Sequence, residues 1–338
     1  MRQPPQVTLL QILDRDSPQQ NAGLRRELAA GLLQPQAAIA PKFFYDALGS
    51  RLFEAITELP EYYPTRTEAA IFAGHLPAIR QALGQAFTLI DLGCGSCAKA
   101  GRLFRAGVLP ARYVAVDISV DYLRESLQHL KRELPAIEMI GIGADFTDEF
   151  RLPDGLPAER RMFFYPGSSV GNFSPDQAGR FLRRLADQID QSGGLLIGVD
   201  LIKDRALLEA AYDDPLGVTA AFNRNLLRHV NVLLEADFEI GDWQHVACYN
   251  ADAARIEMYL QARRALDASW PGADGRSLRR FAAGERIHTE NSWKYSPQGF
   301  AALLRSAGFA DIQVWTDPRN WFALFFARRA GNQPRTAT

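Results

Sequence analysis

Apolar residues recur every three to four positions from Leu24 to Leu33 and again from Glu68 to Leu83, a spacing that predicts helices up to about residue 80. Thr65 and Glu68 stand three apart ahead of the second run, in the arrangement of a capping box, and mark its start. From Phe87 the texture changes to short apolar runs: Phe87–Leu92, Arg112–Asp117, Ile137–Gly143, Arg161–Pro166 and Leu195–Asp200. Runs this continuous predict strands buried on both faces. Helices fall between them, begun by Ser119 and by Ser174 with Pro175 and Gln177, which join an N-cap, a first-turn proline and a capping-box partner. Such alternation predicts an α/β chain whose parallel sheet carries helices on both sides.

The alternation stops near Ala211, and Tyr212–Lys294 mixes helix-like and strand-like pieces in no repeating order. That stretch reads as an inserted α+β lobe. A helix over Pro297–Ala307 and two β-rich runs, Phe309–Thr316 and Trp321–Ala327, follow it. Only Asp317-Pro318-Arg319-Asn320 separates the two runs, too little for a crossover helix, so they pair antiparallel. A parallel sheet closed by one antiparallel hairpin strand resembles the class I methyltransferase, Rossmann-like fold. The expected organisation is a methyltransferase domain over 81–211 and 295–330, a substrate-binding lobe over 212–294 and a helical segment over 1–80 that contributes to the lobe. Residues 331–338 read as a flexible tail.

Composition narrows the class of partner. With 338 residues, 47% of them hydrophobic, the chain can fill two cores. Net charge is −1 and the basic residues are dispersed, so neither nucleic acid nor an anionic membrane is expected as a partner, and a small-molecule substrate is. No apolar run reaches the length of a membrane span, and Met1-Arg2-Gln3-Pro4-Pro5-Gln6 lacks the order of a signal peptide; a cytoplasmic protein is expected. Three cysteines are too few for a disulfide framework.

The first strand of the alternating region ends in Asp91-Leu92-Gly93-Cys94-Gly95-Ser96-Cys97-Ala98. Glycines there let the backbone turn sharply toward a ligand, and the helix that follows offers unpaired N–H groups. Gly93, Gly95 and Ala98 also fit a dinucleotide fingerprint, with Asp117 placed as a ribose-binding acid. Asp91 separates the two ligands. Near an anionic pyrophosphate its carboxylate is repelled, whereas the ammonium and sulfonium of S-adenosylmethionine welcome it. Asp145-Phe146, after the third strand, either offers an acceptor and a ring to adenine or forms a plain turn at a strand end. Cys94 and Cys97 form a lone Cys-x-x-Cys with no second pair, and the five histidines are scattered, so no metal is expected.

Five stretches, in order along nearly the whole chain, resemble the histidine Nα-methyltransferases of ergothioneine biosynthesis. They are Lys42–Glu68, Pro166-Gly167-Ser168-Ser169-Val170-Gly171-Asn172-Phe173, Ala211–Asn225, Arg255–Met258 and Thr289-Glu290-Asn291-Ser292-Trp293-Lys294. The resemblance implies three successive methylations of the histidine α-amine by S-adenosylmethionine, giving hercynine. It also implies that Gly93 and Gly95 cradle the cofactor, Lys99 reaches its carboxylate, Asp117 its ribose, and Asp145 with Phe146 its adenine. Tyr62, Asn172, Tyr212, Glu290 and Ser292 match the family's histidine contacts, with Tyr62 and Asn172 orienting the amine and Gly167 and Met258 lining the pocket. Cys94, Cys97 and Ala98 depart from the polar residues common there. His288 reads as structural. Two other readings remain: an indole amino acid as substrate, which the acid at Glu290 disfavours, or a non-catalytic module that only binds S-adenosylmethionine.

Overall fold

The computed structural model describes residues 7–11, 18–147, 150–272 and 275–331. Except for Gly331, the expected tail lies outside the described residues. In chain order the strands are β1 (Thr8–Gln11), β2 (Thr88–Leu92), β3 (Arg112–Asp117), β4 (Glu138–Gly143), β5 (Arg161–Tyr165) and β6 (Gly194–Asp200). Then come β7 (Trp243–Asn250), β8 (Arg255–Ala262), β9 (Leu266–Gly272), β10 (Gly275–Phe281), β11 (Arg286–Trp293), β12 (Phe309–Thr316) and β13 (Phe322–Arg329). The helices are α1 (Pro18–Leu32), α2 (Ala47–Thr57), α3 (Tyr63–Leu83), α4 (Ala98–Arg105), α5 (Val120–Glu133), α6 (Pro175–Ala186), α7 (Arg205–Ala210), α8 (Val218–Leu234) and α9 (Pro297–Ser306).

By their contacts the residues part into two compact units, one of β1, Pro64–Ile202 and Lys294 onward, the other of α1 to Tyr63 and Lys203–Trp293. The first unit holds one sheet in the order β1-β4-β3-β2-β5-β6-β13-β12. Its strands β1 to β6 run parallel, while β13 is antiparallel to both β6 and β12. This is a mainly parallel Rossmann-like sheet with an antiparallel last hairpin, as the sequence predicts. Alternate residues of one strand feed opposite cores: Ile90, Val114, Ile140 and Phe163 face α6 and α9. Leu89, Tyr113, Met139 and Met162 face α3, α4 and α5. Burial on both faces is what makes the sequence of these strands continuously apolar. Strand order reverses between β2 and β5, so a crevice opens beyond their C-terminal ends, where such sheets bind ligands.

Three expectations need correction. Thr8–Gln11, read as part of a helical segment, is an edge strand that pairs parallel with β4. Four residues are too few to show a period, and the β4 edge supplies their partners. Second, α3 begins at Tyr63, so Thr65 lies inside it, and Glu68 bonds elsewhere instead of capping the helix. Third, the units part at Tyr63/Pro64 and Ile202/Lys203, not at 80 and 211. Ile71, Ile79 and Leu83 of α3 pack into the sheet's core, and α7 packs on β7, where Glu209 accepts from the Tyr249 N–H at 2.9 Å. The capping box of α6, Ser174 with Gln177, forms as predicted.

The second unit is built around α8, which packs against α1, α2, β7 and β8. Phe222 of α8 stacks on Phe44 with ring centroids 4.5 Å apart. Asp46 caps α2 through the Gly49 N–H and accepts from Asn225 of α8 at 2.8 Å, fixing one helix to the other. Three strands, in the order β11-β8-β7, form an antiparallel sheet, and β9 with β10 forms a separate hairpin.

Candidate active site

In the first unit the glycine turn leaves the end of β2. Gly93 and Gly95 have φ of +67° and +51°, the left-handed region that glycine enters without strain, and Cys97, which starts α4, has φ of +57°. A Cβ on Gly95 would meet open space, and one on Gly93 would stand 3.4 Å from the Phe146 ring. Asp117, at the end of β3, accepts from the Gly95 N–H and the Ser119 N–H, both at 2.9 Å. It thereby ties the turn to the neighbouring strand. Phe146 stands edge-on to Tyr165, with centroids 5.7 Å apart. The Asp145 carboxylate accepts from the backbone N–H of Thr147 at 3.0 Å and from its hydroxyl, closing a tight turn after β4.

Glu68 organises the other side of the turn, a role the sequence hides. Its Oε2 accepts from Lys99 Nζ and its Oε1 from the Gly167 N–H, each at 2.7 Å, and its side chain is 2% exposed. One carboxylate thus joins α3, α4 and the loop after β5. Gly167 has φ of +81°, a conformation that strains any residue with a Cβ, and a Cβ there would stand 2.5 Å from Lys99 Nζ and push that amine aside. Ser168 follows, its hydroxyl accepting from the Asp200 N–H at 2.8 Å, and a short 3-10 turn, Ser169–Asn172, then carries Asn172. Asp200 itself pairs with Lys294 at 2.8 Å in full burial.

Asp91 tests whether this turn suits a cationic donor. It is 1% exposed; Oδ2 accepts from the Tyr113 hydroxyl at 2.7 Å, while Oδ1 is buried with no hydrogen-bond partner among the described residues. Burial pushes its pKa up to about 7, against the opposing pull of the Tyr113 hydroxyl and Lys99. A buried carboxylate with an unmet acceptor fits a ligand that brings positive charge, and a pyrophosphate would aggravate it. Cys97 is buried and Cys94 half-buried beside this turn; both are free thiols.

The second unit gathers a different set. The Tyr212 hydroxyl donates to Ser292 Oγ at 2.7 Å, and the Tyr62 and Tyr212 rings meet edge-on with centroids 6.4 Å apart. Tyr62, Tyr212, Met258, Glu290 and Ser292 are all buried. Phe53 continues the aromatic wall, 6.1 Å from Tyr62 and 5.8 Å from Tyr45. Neither Phe53 nor Tyr45 was singled out by the sequence.

A β-bulge decides which way Glu290 points. His288 pairs with Tyr259, but Glu290 pairs with Met258, so Thr289 is the extra residue and the side-chain alternation of β11 reverses there. Glu290 and Ser292 therefore share the face of Met258 and Ile256, while His288 and Asn291 share that of Tyr259 and Glu257. His288, bonded to Asn291 at 3.0 Å and packed on Tyr259, is structural.

Sheet order, glycine turn and orphaned acid together define an S-adenosylmethionine-dependent methyltransferase of the class I kind. A family model described as "Histidine-specific methyltransferase, SAM-dependent" matches residues 24–329. The chain is 42% identical over 310 residues to the histidine N-alpha-methyltransferase of Mycolicibacterium smegmatis, covering 90% of this chain and 95% of that one. It is 40% identical over 320 residues to the enzyme of the same name from Mycobacterium tuberculosis, with the same coverage. It is also 31% identical over 280 residues to ergothioneine biosynthesis protein 1 of Schizosaccharomyces pombe, covering 78% of this chain and 35% of that longer one. The chain belongs to the histidine-specific, S-adenosylmethionine-dependent methyltransferase family.

Proposed function

We propose that the protein methylates the α-amine of L-histidine three times, giving hercynine, the first step toward ergothioneine. The observation that carries this reading is the buried acid Glu290, aimed by the bulge onto the face that also bears Ser292 and Met258. Within the acceptor set, Glu290 accepts from one imidazole N–H, and Ser292 with Tyr212 serves the other ring nitrogen. An indole offers only one donor, so it would leave part of this set unpaired at a cost of about 1–3 kcal/mol.

Asn172 and the Tyr62 hydroxyl are assigned to orienting the amine, and Gly167 and Met258 to contacting the substrate. Toward the donor, Gly93 and Gly95 form the cradle, Asp117 receives the ribose hydroxyls, Asp145 and Phe146 the adenine, and Lys99 the carboxylate. Bound S-adenosylmethionine supplies an electrophilic methyl group on a sulfonium. The chain's residues hold a neutral amine lone pair in line with that group, and positioning of this kind supplies most of an enzyme's acceleration of such displacements. The amine releases its proton to water, so no strong base is required. As methyl groups accumulate the nitrogen becomes a fixed cation, which the rings of Tyr62, Phe53 and Tyr45 can hold by cation–π contact. Mass spectrometry of L-histidine incubated with protein and S-adenosylmethionine tests the reading: species heavier by one, two and three methyl groups are expected. Turnover of tryptophan in preference to histidine, or of neither, refutes it.

A further inference from the structure

His245, on β7, lies outside the five stretches that carry the family resemblance, yet its ring is 2% exposed and fully engaged. On α8, Asn223 donates its amide N–H₂ to the Tyr259 carbonyl at 3.0 Å and to His245 Nδ1 at 2.8 Å. Its amide oxygen has no hydrogen-bond partner among the described residues, so Asn223 acts as a donor only. Turning the amide over would set its oxygen against the Tyr259 carbonyl. Nδ1 of His245 must then be the acceptor and Nε2 must carry the proton. That proton goes to the Tyr212 carbonyl, 2.8 Å away. The same tyrosine places its hydroxyl on Ser292 at 2.7 Å. A continuous chain runs from Tyr259 through Asn223, His245 and Tyr212 to Ser292, all within the second unit.

We infer that His245, locked by Asn223 as the neutral Nε2–H tautomer, is a positioning residue that sets the Tyr212–Ser292 arm of the histidine site and so governs substrate affinity. The inference rests on the assignment of Tyr212 and Ser292 to the substrate. Burial favours the neutral ring and lowers its pKa against the pull of Asp213, 3.9 Å from Nε2, and of Asp214, with Arg224 adding to the lowering. Tyr212 lies just past Ala211, the residue that caps the C-terminal end of α7, so its carbonyl has no further helical turn to hold it. The bond from His245 replaces that turn.

The experiment compares His245→Phe, which removes both ring bonds, with His245→Gln, whose amide can still accept from Asn223 and donate to Tyr212. For His245→Phe the KM for histidine is expected to rise tenfold or more, with kcat at saturation within about twofold and affinity for S-adenosylhomocysteine unchanged. His245→Gln should recover most of the loss. In a Tyr212→Phe background the further effect of His245→Phe should be smaller than in the wild type, because the two act through one arm. If Tyr212→Phe raises the KM while His245→Phe does not, or if the two effects simply add, the positioning role is overturned. If Tyr212→Phe itself leaves the KM unchanged, the substrate assignment fails first and takes the inference with it. Nitrogen-15 NMR of the histidine-labelled wild-type protein decides the tautomer without any variant: a protonated Nδ1 on His245 in the neutral ring overturns the inference.

Discussion

Replacement of Asp91 by asparagine separates the cost of the donor site from its use. The folded chain holds this carboxyl at a pKa of about 7, raised from 3.8 chiefly by burial. Each unit is worth about 1.4 kcal/mol, so keeping it ionised in the ligand-free fold above neutrality costs about 4 kcal/mol. The folded form binds a proton that the unfolded chain has released between pH 4 and 7, so stability falls as pH rises through that window and levels off above it. Asp91→Asn removes the penalty. At pH 8 and without ligand the variant should melt several degrees above the wild type, and the gap should close toward pH 5. Affinity should move the other way: losing the partner of a buried cation costs about 2 kcal/mol or more, roughly thirtyfold in Kd for S-adenosylmethionine. Thermal scans at pH 5 and 8 with calorimetric titration at pH 8 read both. An apo variant no more stable than wild type at pH 8, or one that binds S-adenosylmethionine equally well, refutes the reasoning.

Glu290→Ala should weaken histidine binding by about 2 kcal/mol or more and leave S-adenosylhomocysteine binding intact; equal loss of both, read by titration, contradicts the assignment. Asp117→Ala should do the reverse, and because Asp117 also holds the Gly95 N–H at 2.9 Å, the loop's amide exchange should quicken in the same variant. Because Thr289 is the extra residue, deleting it should close the bulge with His288 still opposite Tyr259 and Glu290 still opposite Met258, so saturation by histidine should persist; its loss with donor binding retained would show that the bulge itself shapes the site. Gly167→Ala should impair the donor site, since its Cβ would stand 2.5 Å from Lys99 Nζ, and a wild-type Kd for S-adenosylmethionine would count against the role given to that loop.

The sheet was legible because burial on both faces writes strands as continuous apolar runs, and the short link Asp317–Asn320 leaves only a hairpin. The glycine turn was legible because its backbone demands are local. Glu68 was misread because Thr65 and Glu68 match the letters of a cap while the helix starts earlier, so only the fold reveals that the acid reaches Lys99 and Gly167. The face of Glu290 could not be read from a period of two, since one inserted residue reverses it. His245 gave no local signal, because its partners come from α8 and from Tyr212 in the turn beyond α7. Tyr62, Asn172 and Tyr212 entered through the resemblance alone; their residue types recur in any apolar core.

The two margins of the large sheet meet solvent by different means. On one, β12 is bent out of plain pairing where its register shifts between Ala310 and Gln313. On the other, Thr8–Gln11 is, among the described residues, the strand that covers the free edge of β4, with Leu10 packed against the core. Shortening the chain to begin at residue 18 would strip that sleeve from Glu138–Gly143 and bare a flat row of donors and acceptors to any neighbouring molecule. Such a fragment would keep every residue of the donor cradle yet become adhesive, clumping at concentrations where the intact protein stays dispersed.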